Sequence, residues 1–379
     1  MIYLDYTATT KPEKEVLDTY VEVSEKYFGN TNSLHGFGAE CEKLEKEAIK
    51  QIATLLGVKE KEIIYTSGAT EANNLSIKGV AFRYQSRGRH IITTKIEHDS
   101  VYNVFRYLEA IGFDVTYLDV NEEGIIDIHK LNEALREDTI LVSIMAVNSE
   151  IGSIQPIEEI GNILKKYPKI FFHVDATQAI GKINIDFTNI DLVSMSAHKF
   201  YGLKGSGILI CKEHVELVPL MHGGGSLSVY RSGTLDLPGL VAFSKALRLA
   251  LTNLNEKYNK VESLNIKLKE LLKQNPNIKI ISSEKAIPHI LSISITGIKP
   301  ETLVTALSEE KIYLSTKSAC SSKKNEPSRV ISALPIDSAL RESVIRISLS
   351  YKTTDVEIEE FVAKLNKAIY ELKFTKGGK

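Results

Sequence analysis

The 379-residue chain is expected to adopt an α/β fold: a large domain with a mostly parallel sheet flanked by helices, followed by a smaller α+β domain. Three observations predict this. From about residue 60, short β-branched runs alternate with helical stretches, the pattern of a helix-covered parallel sheet. Around Ala242 to Gln274 the alternation gives way to a stretch rich in Leu, Lys and Glu, read as one long amphipathic helix with Leu247, Leu251 and Leu254 at helical spacing. The length, at roughly 150 residues per domain, allows about two or three domains. The expected boundaries are 15–254 for the large domain, and 1–14 with 255–379 for the small one.

In chain order, Ile63-Ile64-Tyr65-Thr66 is the first strand of the alternating series, and a helix opens after it near Thr70. His90 to Thr94 is the next strand, followed by a helix from Ser100 to Ile111. Asp114 to Leu118, Thr139 to Val147, Ile170 to Val174 and Asp191 to Ser196 continue the series. Beyond the long helix, His289 to Ile295 and Val344 to Leu349 read as strands of the smaller domain.

Composition narrows the function. Apolar residues at 43% and charged residues at 25% are ordinary globular proportions, against wholesale disorder. Forty-seven Lys+Arg against 48 Asp+Glu leave a net charge of −1, which argues against direct nucleic-acid binding as the main task. Cys41, Cys211 and Cys320 lie far apart without a CxxC pair, which fits a reducing compartment better than a disulfide framework or a structural zinc. The start Met1-Ile2-Tyr3-Leu4-Asp5 has no secretory pattern, and no run of about 18 apolar residues occurs, so a soluble, cytoplasmic protein without a membrane span is expected. A dinucleotide-binding fold lacks its GxGxxG after the first strand, and none of the nine histidines forms an HExxH.

Three segments carry the chemistry. Ser67-Gly68-Ala69-Thr70-Glu71 lies between a strand and a helix; its backbone N–H groups and hydroxyls suit a phosphate, or it is a plain helix cap. Asp175, in His173-Val174-Asp175-Ala176-Thr177-Gln178, closes an apolar strand where ligands of open α/β sheets bind, and could hold a cationic ring nitrogen or cap a helix. Lys199, in Ser194-Met195-Ser196-Ala197-His198-Lys199, follows another strand; it is either a solvated lysine or an amine that forms a Schiff base. Together, a phosphate cup, an acid and a lysine at strand ends make a consistent pyridoxal 5'-phosphate (PLP) site.

These segments, with Tyr3 to Thr10, Phe28-Gly29-Asn30, Glu97-His98, Arg231-Ser232-Gly233-Thr234, Ser318-Ala319-Cys320-Ser321-Ser322 and Ile345-Arg346, make the chain resemble cysteine desulfurases of the NifS/IscS type, in the class V aminotransferase branch of fold-type I PLP enzymes. The resemblance spans nearly the whole chain. It implies that Lys199 carries the cofactor and moves protons, that Asp175 pairs with the pyridinium nitrogen, and that Gln178 bonds the ring's phenolic oxygen. It implies that His98 stacks on the ring and assists proton transfer, and that Ala69, Thr70, Ser196 and His198 hold the phosphate. Thr234 would reach the phosphate of a neighbouring subunit, implying a homodimer. Arg346, Asn30 and Ser149 would contact the substrate, the arginine through its bidentate fork on the carboxylate. Cys320 would be the nucleophile that takes sulfur from L-cysteine as a persulfide, leaving alanine, for transfer to a sulfur-acceptor protein serving iron–sulfur clusters, tRNA or thiamine thiolation. Cys41 and Cys211 read as buried small hydrophobes.

The chain departs from the family pattern at three places. Val147-Asn148-Ser149-Glu150 stands where Val-Asn-Asn-Glu is usual, with Ala146 in place of a histidine. Losing one hydrogen bond to a charged partner at Ser149 would cost on the order of 1.5–3 kcal/mol. Gly223-Gly224-Gly225-Ser226-Leu227-Ser228 lacks the Gln-Glu or His-Glu pair that commonly follows the glycines, and the chain ends soon after the small domain, where members serving iron–sulfur scaffolds often carry a longer tail. A divergent member dedicated to one acceptor is expected. Two other readings remain: a selenocysteine lyase, and a degenerate PLP-binding scaffold or partner protein.

Overall fold

In the computed structural model the residues described are 1–224, 228–316 and 328–375. The strands, in chain order, are β1 (Ile2–Tyr3), β2 (Ile63–Thr66), β3 (His90–Thr94), β4 (Asp114–Leu118), β5 (Thr139–Ser143), β6 (Phe171–Asp175), β7 (Leu192–Ser196), β8 (Gly207–Cys211), β9 (Ile278–Ile280), β10 (Ile290–Ile295), β11 (Ile312–Tyr313) and β12 (Val344–Ser348). Seven of them form one sheet in the order β2-β8-β7-β6-β5-β3-β4. β4, β3, β5, β6 and β7 pair in parallel, and β8 enters antiparallel between β7 and β2. The parallel β3, β5, β6 and β7 are buried along their whole length, as strands covered on both faces must be.

Helices α1 (Lys14–Lys26), α2 (Gly36–Leu56), α3 (Ala69–Tyr84) and α4 (Asp99–Ala110) supply part of that cover. α3 lies against the sheet beside the site; Ala72, Leu75, Ile77, Val80 and Ala81 pack with Ile64, Leu192 and Leu209 of the strands. α2 ends at Gly57, whose φ of +66° closes the helix in the left-handed region that glycine enters without strain.

Where one long helix was expected over Ala242 to Gln274, two helices occur, Leu237–Leu251 and Leu254–Lys273. The break is at Thr252-Asn253: Asn253 takes φ +54°, in the left-handed region that glycine enters freely and asparagine more readily than most other residues. The strand series also gains β8, which the alternation had not marked. The second helix leads to a three-stranded antiparallel sheet, β12-β10-β9, and β1 pairs in parallel with β11. A separate apolar core joins Ile2 and Leu4 at the N-terminus to Leu264, Leu291, Ile345 and Phe361, so the first residues of the chain are built into the C-terminal layer. No helix among the described residues is long and apolar enough to cross a membrane.

Candidate active site

A cavity of about 340 Å³ opens at the carboxyl ends of β2, β6 and β7 and at the start of α3, the edge where open α/β sheets place their ligands. Its wall includes Ala69, Thr70, His98, Ser149, Asp175, Gln178, Ser196, His198, Lys199 and Arg346, so the three segments singled out in the sequence meet there. Asn30 and Thr234 lie elsewhere, both exposed, with Asn30 Oδ1 accepting from the backbone of Asn32. Cys320 and residues 225–227 lie outside the described residues.

Lys199 ends a short 3₁₀ turn, Ala197–Lys199, that continues directly from β7. Its Nζ donates to the carbonyls of Thr7 at 2.7 Å and Ala8 at 2.8 Å. The N-terminal segment is laced to the same turn, Thr10 N donating to His198 O at 2.9 Å and Tyr201 N to Thr10 Oγ1 at 2.7 Å. Asp175 sits at the last position of β6 and is 5% exposed. Its Oδ2 accepts from Asn73 Nδ2 at 2.9 Å and its Oδ1 from the Thr177 backbone at 3.0 Å, which steadies a buried carboxylate.

The second hydrogen of Asn73 Nδ2 goes to Ser100 Oγ at 2.9 Å, and Ser100 is bound to His98 Nδ1 through both its hydroxyl, 2.8 Å, and its backbone N–H, 3.2 Å. Because the N–H of Ser100 donates to Nδ1, the imidazole carries its proton on Nε2. Burial holds His98 below its ordinary pKa, with the Asp175 charge opposing, so the ring is neutral near pH 7. His198 is pushed down to about 3 by burial and the cations Lys199, Lys204 and Lys182. Beneath His98, the buried Glu97 accepts from Thr94 Oγ1 at 2.9 Å and Met145 N at 3.0 Å; burial lifts its carboxyl to about 8. Asn73, Ser100 and Glu97 as a supporting shell were not foreseen, since a polar residue inside a helix or after a strand has no local signature.

The turn between β2 and α3 fits an anion. Gly68 takes φ +146° and provides no side-chain cap, which leaves first-turn N–H groups of the 16-residue α3 without an intrahelical partner. The approach is close: a Cβ on Gly207 would stand 2.4 Å from Gly68 Cα. Glu71, on this turn, is tied to Arg231 at 3.0 Å and to Ser67 N at 2.7 Å, which neutralises its charge beside the cavity.

Arg346, on β12, is 1% exposed. Its Nη1 donates to Ser149 O at 3.1 Å and its Nη2 to Asp5 at 2.8 Å, while Nε is buried without a partner among the described residues. Ser149 therefore holds the arginine through its backbone, not its hydroxyl. Asn148, the first residue of the departing pair, is structural: its Oδ1 accepts from the backbones of Glu150 and Ile151 and its Nδ2 donates to Ile96 O at 2.9 Å.

An amine and a buried carboxylate at adjacent strand ends, an uncapped helix start, and an unpaired guanidinium N–H are a donor set that PLP and an amino-acid carboxylate fit. That set defines a class, and the sequence agrees: a family model described as aminotransferase class-V matches residues 2–361, and the chain belongs to that family. Within it, the chain is 46% identical over 376 residues to a "NifS/IcsS protein homolog" of Lactobacillus delbrueckii subsp. bulgaricus, covering 98% of this chain and 97% of that one. It is 40% identical to "Cysteine desulfurase IscS" of Dictyoglomus turgidum, over 98% and 95% of the two chains. A solved "NifS-like protein" superposes with a TM-score of 0.91 at 38% identity, over 98% and 99% of the chains.

Proposed function

We infer that the protein is a PLP-dependent cysteine desulfurase: L-cysteine and the Cys320 thiol become L-alanine and a Cys320 persulfide, whose sulfur passes to an acceptor protein. The observation that carries the reading is the meeting of Lys199, Asp175, the uncapped start of α3 and Arg346 on one cavity. PLP, when bound, supplies an electron sink conjugated to the substrate Cα. The chain's residues do the rest. Lys199 Nζ is the amine that holds the cofactor and takes and returns a proton. Asp175 keeps a ring nitrogen cationic, and Ala69, Thr70, Ser196 and His198 take the phosphate. Arg346 Nε, buried and without a partner among the described residues, is a donor available to the substrate carboxylate, and His98 offers Nε2–H to the reacting groups.

We propose a homodimer as well. Thr234 is exposed and outside the cavity, and Phe28 and Leu34 are apolar side chains 78% and 105% exposed, a surface a second copy would cover. The cytoplasm is the expected compartment; Cys41 and Cys211 are buried free thiols.

Lys199→Ala tests the reading. The purified variant should lack the visible absorbance of wild type and form no alanine from L-cysteine; a retained visible band would contradict the role given to Lys199. Cys320→Ala should keep the band and lose sulfur transfer.

A further inference from the structure

One buried cation has no part in the reading above. Lys182 is 9% exposed and lies four residues past Gln178 in the turn after β6, where Ile180 N and Lys182 N close on Ala176 O and Ala179 O. That turn brings the two side chains to one side, and Gly181, at φ +74°, lets it press against Phe200 and Ala250, either of which a Cβ would approach to 3.0 Å. Lys182 faces a void of about 10 Å³ behind Lys199, and none of the described residues that line it is acidic. Burial, with the Lys199 charge added, lowers its pKa to about 7. Methionine would fill the same space without that desolvation cost.

The bond that Lys182 does make is to Gln178, Nζ donating to Oε1 at 3.3 Å. The other end of the amide, Nε2, donates to Thr7 O at 3.0 Å, the same carbonyl that accepts from Lys199 Nζ. Lys182, Gln178, Thr7 and Lys199 thus form one chain of hydrogen bonds along the cavity wall.

Resting on the reading of this site as a PLP site, we propose that Lys182 is a positioning residue: by holding Gln178 Oε1 it fixes the amide with its N–H end toward Thr7 and the cofactor cavity. Without it, Oε1 is a buried acceptor lacking a donor, and the amide gains from leaving the wall for a place where Oε1 finds one. The bound cofactor would then lack the donor that stood there.

The test compares the visible band of the bound cofactor and the PLP dissociation constant in wild type, Lys182→Met, Gln178→Leu and the double variant. Lys182→Met should shift the band and weaken PLP binding by about three- to tenfold, the worth of one hydrogen bond. In the Gln178→Leu background it should do nothing further, because the two residues act through one contact. Lys182→Gln, which keeps a donor, should hold the band near its wild-type position; it also serves if the methionine variant does not fold. An unchanged band and affinity in Lys182→Met, or effects that simply add in the double variant, would overturn the proposal. Wild type that takes up no PLP would overturn the reading of the site itself, and this inference with it.

Discussion

At the scale of residues, the two sites that decide the chemistry differ in kind. Asp175 and Lys199, the groups proposed to hold the cofactor, were legible as candidates because each stands at the end of an apolar strand, although a helix cap and a solvated lysine read equally well from those segments alone. Ser149 was legible only as a departure. The structure narrows its meaning: the backbone of Ser149 holds Arg346, so the substitution leaves that contact alone and changes only what faces the cavity. Ser149→Asn should raise the rate of alanine formation, by roughly tenfold for one recovered hydrogen bond to a charged partner; an unchanged rate would make the serine neutral. Glu97 gives a pH signature. Its folded-state pKa lies above its unfolded value of 4.5, at about 8, so between those values the native state binds a proton that the unfolded chain has lost. Stability from this group is therefore present below pH 4.5 and falls as pH rises toward 8, at about 1.4 kcal/mol per pH unit over the middle of the range. Glu97→Gln should gain on wild type across that window in urea unfolding at pH 5 and pH 8. A constant difference between the two proteins at both pH values would mean that Glu97 is ionised in the fold.

At the scale of elements, β3, β5, β6 and β7 were readable because each is a short run buried along its whole length. The helix break at Asn253 was not: the heptad-like Leu spacing runs through it, and only packing on either side forces an asparagine to φ +54°. The gap in the strand series was β8, Gly-Ile-Leu-Ile-Cys: its apolar run bears the same mark as its neighbours', and only its antiparallel entry, set by its partners β7 and β2, has no local signature. β8 nonetheless shapes the site. Its Gly207 lies so close to Gly68 that Gly207→Ala must move backbone, either the β2–α3 turn or the end of β7 at Met195. The alanine variant should lose about 1–3 kcal/mol of stability from overpacking and bind PLP more weakly, measured by thermal unfolding and cofactor dialysis. Wild-type cofactor affinity would show that the turn does not cradle the phosphate.

At the scale of the whole molecule, the site is assembled from chain ends as much as from the central sheet. The first ten residues supply the carbonyls that receive Lys199, and Asp5 ties to Arg346 on the far sheet at 2.8 Å. Composition and periodicity have no means of reporting such a tie, since it joins positions more than three hundred residues apart. The segment that carries Cys320 is bounded by residues anchored at the same wall: Ser315 exchanges backbone bonds with Arg346, and Ser328 contacts Glu150, next to Ser149. The central claim is that this wall and Cys320 act together on L-cysteine. The most direct measurement is the mass of the Cys320 peptide after the purified, PLP-loaded protein is incubated with L-cysteine. A gain of one sulfur atom, removed by reduction and accompanied by alanine, is the predicted result. An unmodified thiol in a protein with its cofactor bound to Lys199 would contradict it.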